Sequence, residues 1–285
     1  MRLKARSSLL LGLVFSLCLG LRLQGQTLAQ TEAIADKFME DGNFYAAAKF
    51  YSRVYFFSDK SSLGRINGKL GKAYFGKRDF KRAYQHFDNA QKLEQNDTVR
   101  AEWFLRKTAA LILQQKFKLA LLEMLNYHGP LTEDQQKKYF FLKGTIYFGE
   151  EKFDLAKQNF IKALSNKDSA SVARIDSLFQ RKNILRPNPK TAKWLSIIMP
   201  GLGQMYAGDV KNGLNSFALN ISLFYLFARD AIKFSFFESF IVFYPWIQRY
   251  YQGGFERAEK IARKKLRQKR AKVYREIHQF ITNKL

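Results

Sequence analysis

The stretch Leu70-Gly71-Lys72-Ala73-Tyr74-Phe75-Gly76-Lys77-Arg78-Asp79-Phe80-Lys81-Arg82-Ala83-Tyr84-Gln85-His86-Phe87 decides the fold. Its small residues, Gly71 and Ala83, recur with large ones, Tyr74, Phe80 and Phe87, at the spacing of two antiparallel helices that cross closely. Between them Gly76-Lys77-Arg78-Asp79 reads as a tight turn. Outward in both directions the pattern repeats with a period of about 36 residues. Phe44, Phe80, Phe117 and Phe153 come into register, followed by Ala47, Ala83, Ala120 and Ala156, then by Tyr51, Phe87, Met124 and Phe160.

Each aligned phenylalanine follows turn chemistry: Asp41-Gly42-Asn43, Gly76 to Asp79, Gln114-Gln115-Lys116 and Gly149-Glu150-Glu151-Lys152. The first unit adds Ala35 and Phe38, and the fourth adds Gly144, Tyr147 and Ala163. The third departs, with Thr108 in the small position and Leu111 in place of tyrosine. The spacing resembles the tetratricopeptide repeat (TPR), although the period exceeds the usual length of that repeat. The resemblance implies four helical hairpins over residues 31–166, stacked to expose a concave groove for a protein or peptide. Asn67, Lys69, Lys72, Arg106, Lys107, Lys143 and Tyr147, from the first helices, are the groove candidates. If several face inward, the partner is acidic or ends in a carboxylate. A solvated basic face is the competing reading of each.

Residues 167–185 begin with Val172, Ile175, Leu178 and Phe179 at helical spacing, as expected of a helix capping the fourth unit. Residues 186–252 are apolar and rich in phenylalanine. Within them Pro200-Gly201-Leu202-Gly203-Gln204-Met205-Tyr206-Ala207-Gly208, with Gly213 beyond, resembles the Pro-Gly-x-Gly-Gln-x-Tyr-x-Gly core of TM2-like membrane domains. That implies a membrane hairpin, its glycines allowing close backbone approach and its Gln204 and Tyr206 satisfying backbone groups. The runs from Gly213 to Ala228 and from Phe234 to Ile247 are short against the roughly 20 residues of a full span. Asn215, Asn220, Arg229, Asp230, Lys233 and Glu238 interrupt them, so a soluble helical hairpin stays open.

The formal charge is +25, from 49 Lys and Arg against 24 Asp and Glu. Much of the excess lies in residues 253–285, read as a basic amphipathic helix with Leu266, Val273, Ile277 and Phe280 as its apolar stripe. Such a helix suits anionic headgroups. Nucleic acid is disfavoured, because the tail lacks a stacking platform. At the other end Arg2, Lys4 and Arg6 precede an apolar run from Leu9 to Leu21, the pattern of an export signal over residues 1–29. Cleavage after Gly25, cleavage after Ala29 and an uncleaved anchor all remain open. The only cysteine, Cys18, lies in that run.

The expected fold is all-α: a TPR-like solenoid, a membrane hairpin and a basic tail helix. No phosphate-binding loop, zinc cluster or nucleophile elbow occurs, so no catalytic residue, metal or cofactor is assigned. The expected function is a noncatalytic adaptor at the inner membrane, its repeats on the periplasmic side and its lipid contacts anionic. The alternative is a component of an insertion, translocation or transport assembly in which the hairpin is the active part. An export signal places the repeats outside, whereas the basic tail favours the cytoplasm. Three crossings, a reentrant segment or a tail lying on outer lipid would each reconcile the two.

Overall fold

The computed structural model describes residues 27–164 and 168–283. The export-signal reading of residues 1–29 therefore lies outside the described residues as far as residue 26; residues 27–29 are the cap and start of the first helix. Every regular element described is an α-helix. The chain divides into two units, residues 1–135 and 136–285.

The first unit holds three hairpins: α1 (Leu28–Glu40) with α2 (Phe44–Phe57), α3 (Leu63–Gly76) with α4 (Phe80–Leu93), and α5 (Asp97–Leu113) with α6 (Phe117–Leu125). Thr27 and Gln30 form a reciprocal capping box at the start of α1. Each aligned phenylalanine opens the second helix of its hairpin. The turn before it has one geometry throughout. In the second hairpin Arg78 is left-handed at φ 61°, its N–H donates to Phe75 O at 3.0 Å, and the Asp79 N–H donates to Tyr74 O at 3.0 Å. Gly42 and Asn43, and Gln115 and Lys116, repeat those bonds onto Met39 and Phe38, and onto Ile112 and Leu111. This is a Schellman ending whose last residue is also the N-cap position of the next helix, where the Asn43 and Asp79 side chains accept from Ala46 N and Arg82 N and Lys116 makes no side-chain cap.

Ala47, Ala83 and Ala120 are buried, as are Tyr51, Phe87 and Met124 behind them. The small residue of each first helix, Ala35, Gly71 or Thr108, stands at one fixed offset before its large partner and is itself buried. Thr108 meets the demands of burial by donating its hydroxyl to Phe104 O at 2.9 Å. The third repeat thus departs in sequence and keeps the hairpin. The second and third hairpins are joined by Trp103, which occupies the space left by Gly68, and by the Gln114 amide, which donates to Phe80 O at 2.9 Å.

Helix α7 (Glu133–Gly149) begins at the boundary, and with α8 (Phe153–Lys162) it forms the fourth hairpin. The Glu151 and Lys152 amides repeat the same turn onto Phe148 and Tyr147. The second unit continues with α9 (Ser169–Leu178), α10 (Arg181–Ile184), α11 (Pro189–Ile198), α12 (Leu202–Tyr206), α13 (Val210–Lys233) and α14 (Phe236–Thr282). Ile175, Leu178 and Phe179 at the α9 end share a core with Ala156 and Phe160 of α8.

Two expectations need correction. The tail is not a separate helix: α14 runs without a break through Pro245, Gly253 and Gly254. Its apolar stripe is also not free for lipid. Leu266, Val273 and Ile277 are buried, and Val273, Ile277 and Ile281 join the core of the fourth hairpin, with Phe280 packed against it. That core supplies the apolar contact which the amphipathic pattern demands.

Candidate functional site

The Pro200–Gly208 segment builds a short hairpin onto α14. Pro200 follows the end of α11, and Gly201 turns the chain at φ 91°. A Cβ at Gly201 would collide with the Gly213 carbonyl, and one at Gly203 with the Ala192 carbonyl, so both glycines are required by close backbone approach. Gln204 is buried. Its Oε1 accepts from the Ser196 hydroxyl at 3.0 Å, and its Nε2 donates to Gly254 O at 2.9 Å. The Tyr206 hydroxyl accepts from the Asn188 N–H at 3.1 Å. The Gly208 and Asp209 amides donate to Met205 O and Gln204 O, both at 2.8 Å, with Gly208 at φ 77°. The turn of the repeats therefore recurs a fifth time inside this glycine-rich segment. Lys265 Nζ closes it by donating to Gly208 O at 2.9 Å.

Beyond this base α13 and the first part of α14 pair as a hairpin whose far end is apolar on its outer surface. Ile232 is 86% exposed and Phe234 77%, and Phe236, Phe237, Ile241, Val242 and Trp246 are exposed as well. Among the described residues no helix is long and apolar enough to cross a membrane. Asn215, Asn220, Arg229 and Asp230 dilute α13, and the apolar part of α14 ends at Gln248-Arg249. Arg229 pairs with Asp230 at 2.8 Å, while Glu238 is exposed.

The groove candidates divide differently. Asn67 (1% exposed) and Lys107 (5%) are buried and so do not line an open surface. Asn67 Nδ2 donates to Leu63 O at 2.8 Å, and its Oδ1 lies 2.9 Å from His86 Nδ1. Lys107 sits between Asp88 at 2.9 Å and Glu123 at 2.8 Å, which compensate a buried cation. Lys69 pairs with Glu32 at 2.6 Å and Asp36 at 2.7 Å, and Arg106 with Glu102 at 2.9 Å. Lys72 lies over the Trp103 ring at 5.4 Å, and burial lowers its pKa. The basic face expected from sequence is thus largely neutralised by its own unit. In the second unit Lys143 lies over Tyr139 at 5.5 Å, and Tyr147 is packed against the fourth-hairpin core.

Arg249, Gly253 and Gly254, which carry no role in the sequence reading, and Arg257, which reads there only as a base of the tail, line a cleft beside Gln204. The available signal was a glycine pair within a helix, bracketed by arginines one turn away on each side. Among the described residues no cluster of His, Cys, Asp and Glu is arranged to hold a metal. Comparison with protein-family models, curated proteins and solved structures gives no match for this chain.

Proposed function

We propose that this protein is a noncatalytic adaptor whose TPR-like hairpins bind a protein or peptide and whose α13–α14 hairpin dips into a membrane. The observation that carries this reading is the apolar far end of that hairpin, where Ile232, Phe234, Phe236 and Phe237 face solvent together. Soluble surfaces rarely expose such a patch without a use for it. From Phe236 to Ile247 the apolar part of α14 is about 18 Å long, against a hydrocarbon core of about 30 Å. It is long enough to enter and too short to cross. A dipping hairpin returns the chain to the side it left, and the core shared by Phe160 and Ile277 supports the fourth hairpin and the tail lying on one side. With export by the amino-terminal segment, that side is the periplasmic face of the inner membrane. The bases left without a stripe of their own, such as Lys264 and Arg267, are then available to anionic headgroups.

The test uses whole protein in intact cells with Cys18→Ser. Ser61→Cys and Asn283→Cys should both react with an impermeant thiol reagent, and a Phe234→Asp/Phe237→Asp variant should no longer float with membranes. Labelling of one position alone, or unchanged flotation, overturns the dipping hairpin. The adaptor reading fails if the labelled repeats cross-link to no specific protein.

A second reading, in which the hairpin itself serves an insertion or transport assembly, is favoured by Glu238, an exposed carboxylate among apolar side chains. It predicts that Glu238→Gln abolishes that activity while membrane flotation persists.

A further inference from the structure

Beside Gln204, where α13 passes α14, a cleft of about 290 Å³ opens within the second unit. Along one line of α14 the residues Arg249, Gly253 and Arg257 follow one another at four-residue spacing, which sets them on a single helix face. From α13 come Asn212 and Asn220. No carboxylate lines the cleft. Among the described residues neither arginine has a carboxylate partner; Arg257 reaches only Asn212 Oδ1, at 3.5 Å. Two guanidiniums line one cleft and neither forms an ion pair among the described residues. The field of Asp209 reaches Arg257, with Asn212 between them, and among the described residues Arg249 has no such neighbour. The pair therefore retains positive charge to attract an oxyanion.

Two further observations point to a ligand. Asn220 is 1% exposed and its Nδ2 donates to Ser216 O at 2.8 Å, yet its Oδ1 is buried with no donor. A buried acceptor left without a partner is unfavourable, and a hydroxyl would satisfy it. Gly253 weakens the helix it interrupts, yet a Cβ there would meet nothing within 4 Å and its φ is not in the left-handed region. Neither crowding nor backbone conformation calls for glycine. What the glycine does is keep the cleft open.

We propose that this cleft binds a hydroxylated phosphate ester, its phosphate held between Arg249 and Arg257 and a hydroxyl donating to Asn220 Oδ1. Glycerol phosphate is the simplest such group, and it is also the headgroup of phosphatidylglycerol. The lipid source is favoured by position, because the cleft lies just past the apolar end of α14, beside Trp246 and Tyr250. That choice of source rests on the dipping-hairpin reading; the cleft itself does not.

The experiment titrates glycerol phosphate into the full-length protein in a phosphate-free detergent, by calorimetry, with inorganic phosphate and phosphatidylglycerol vesicles as competitors. Saturable binding is expected, with inorganic phosphate weaker because it cannot bridge from the arginines to Asn220. Arg249→Gln should weaken binding at least tenfold. So should Gly253→Leu, which fills the cleft without changing charge and favours the helix, its folding checked by circular dichroism. Wild-type affinity in Gly253→Leu, or no binding of glycerol phosphate, overturns the proposal, even if the vesicles still bind and the hairpin reading stands. Binding of glycerol phosphate without competition from vesicles upholds the cleft, identifies the free ester as its ligand and counts against the membrane reading.

Discussion

Phe87 occupies the space where Gly71 would carry a side chain: a Cβ on Gly71 would lie 2.5 Å from Cε1 of the ring. Gly144 and Phe160 stand in the same relation, at 2.8 Å from Cδ1. The crossing of the two helices in these hairpins is therefore set by one missing methyl group against one ring. Gly71→Val should destabilise the protein by about 2–3 kcal/mol through overpacking, read from urea unfolding. Adding Phe87→Leu should recover part of the loss. A full loss in both variants would place the fault elsewhere than at the crossing.

The left-handed turn residue is glycine at position 42 but Arg78, Gln115 and Glu151 in the other hairpins, at φ near 60°. A side chain is strained there. Gln115 is exposed, so Gln115→Gly should stabilise by about 0.5–1 kcal/mol, while Gly42→Ala should cost about 1 kcal/mol. Midpoints of thermal unfolding that move in the same direction would contradict this.

Acid should weaken the first unit in two separate windows. Burial, with Arg82 nearby, holds the pKa of His86 below its ordinary value while the ring stacks on Tyr74 at 5.2 Å. The unfolded chain then binds a proton more readily, so stability is full above about pH 6.5 and falls as the pH drops below it. Hydrogen bonding to Arg65, chiefly, lowers Glu32 to about 2. Its contribution is present above about pH 4.5 and is lost between there and pH 2. His86→Phe should flatten the first window and leave the second, as measured by urea midpoints against pH.

Gly203→Ala drives a methyl group into the Ala192 carbonyl and should detach α12 from α11. Gln204→Leu should cost about 1–3 kcal/mol, because the Ser196 hydroxyl loses its buried acceptor. Limited proteolysis should find new cleavage near Gly208 in the first variant. An unchanged pattern would mean the close approach is dispensable.

The repeats were legible because their determinants are local. Phe44, Phe80, Phe117 and Phe153 fall at helix starts since the turn chemistry before them is complete within a few residues. The tail reads as a separate helix for the opposite reason. Gly253-Gly254 looks like a boundary, and each glycine costs a helix about 1 kcal/mol. Contacts made far away in sequence outweigh that cost: Ala258 and Ala262 pack with Ala192, and Ile277 enters the core around Phe160. Periodicity revealed that Val273 and Ile277 are covered; it could not say whether by lipid or by protein. Lys107 likewise reads as a groove base in sequence, because its partners Asp88 and Glu123 lie on the neighbouring helices α4 and α6.

The core that Phe160 shares with Ile277 also imposes an order of events during synthesis. At about 5–20 residues per second, Ile277 leaves the ribosome on the order of ten seconds after Phe160. Through that interval the fourth hairpin waits with part of its face uncovered, while the three earlier hairpins have all their residues. The apolar end of α13 and α14 emerges inside the same interval. That end is therefore exposed before the last helix can close over the waiting hairpin, and its exposure precedes completion of the fold.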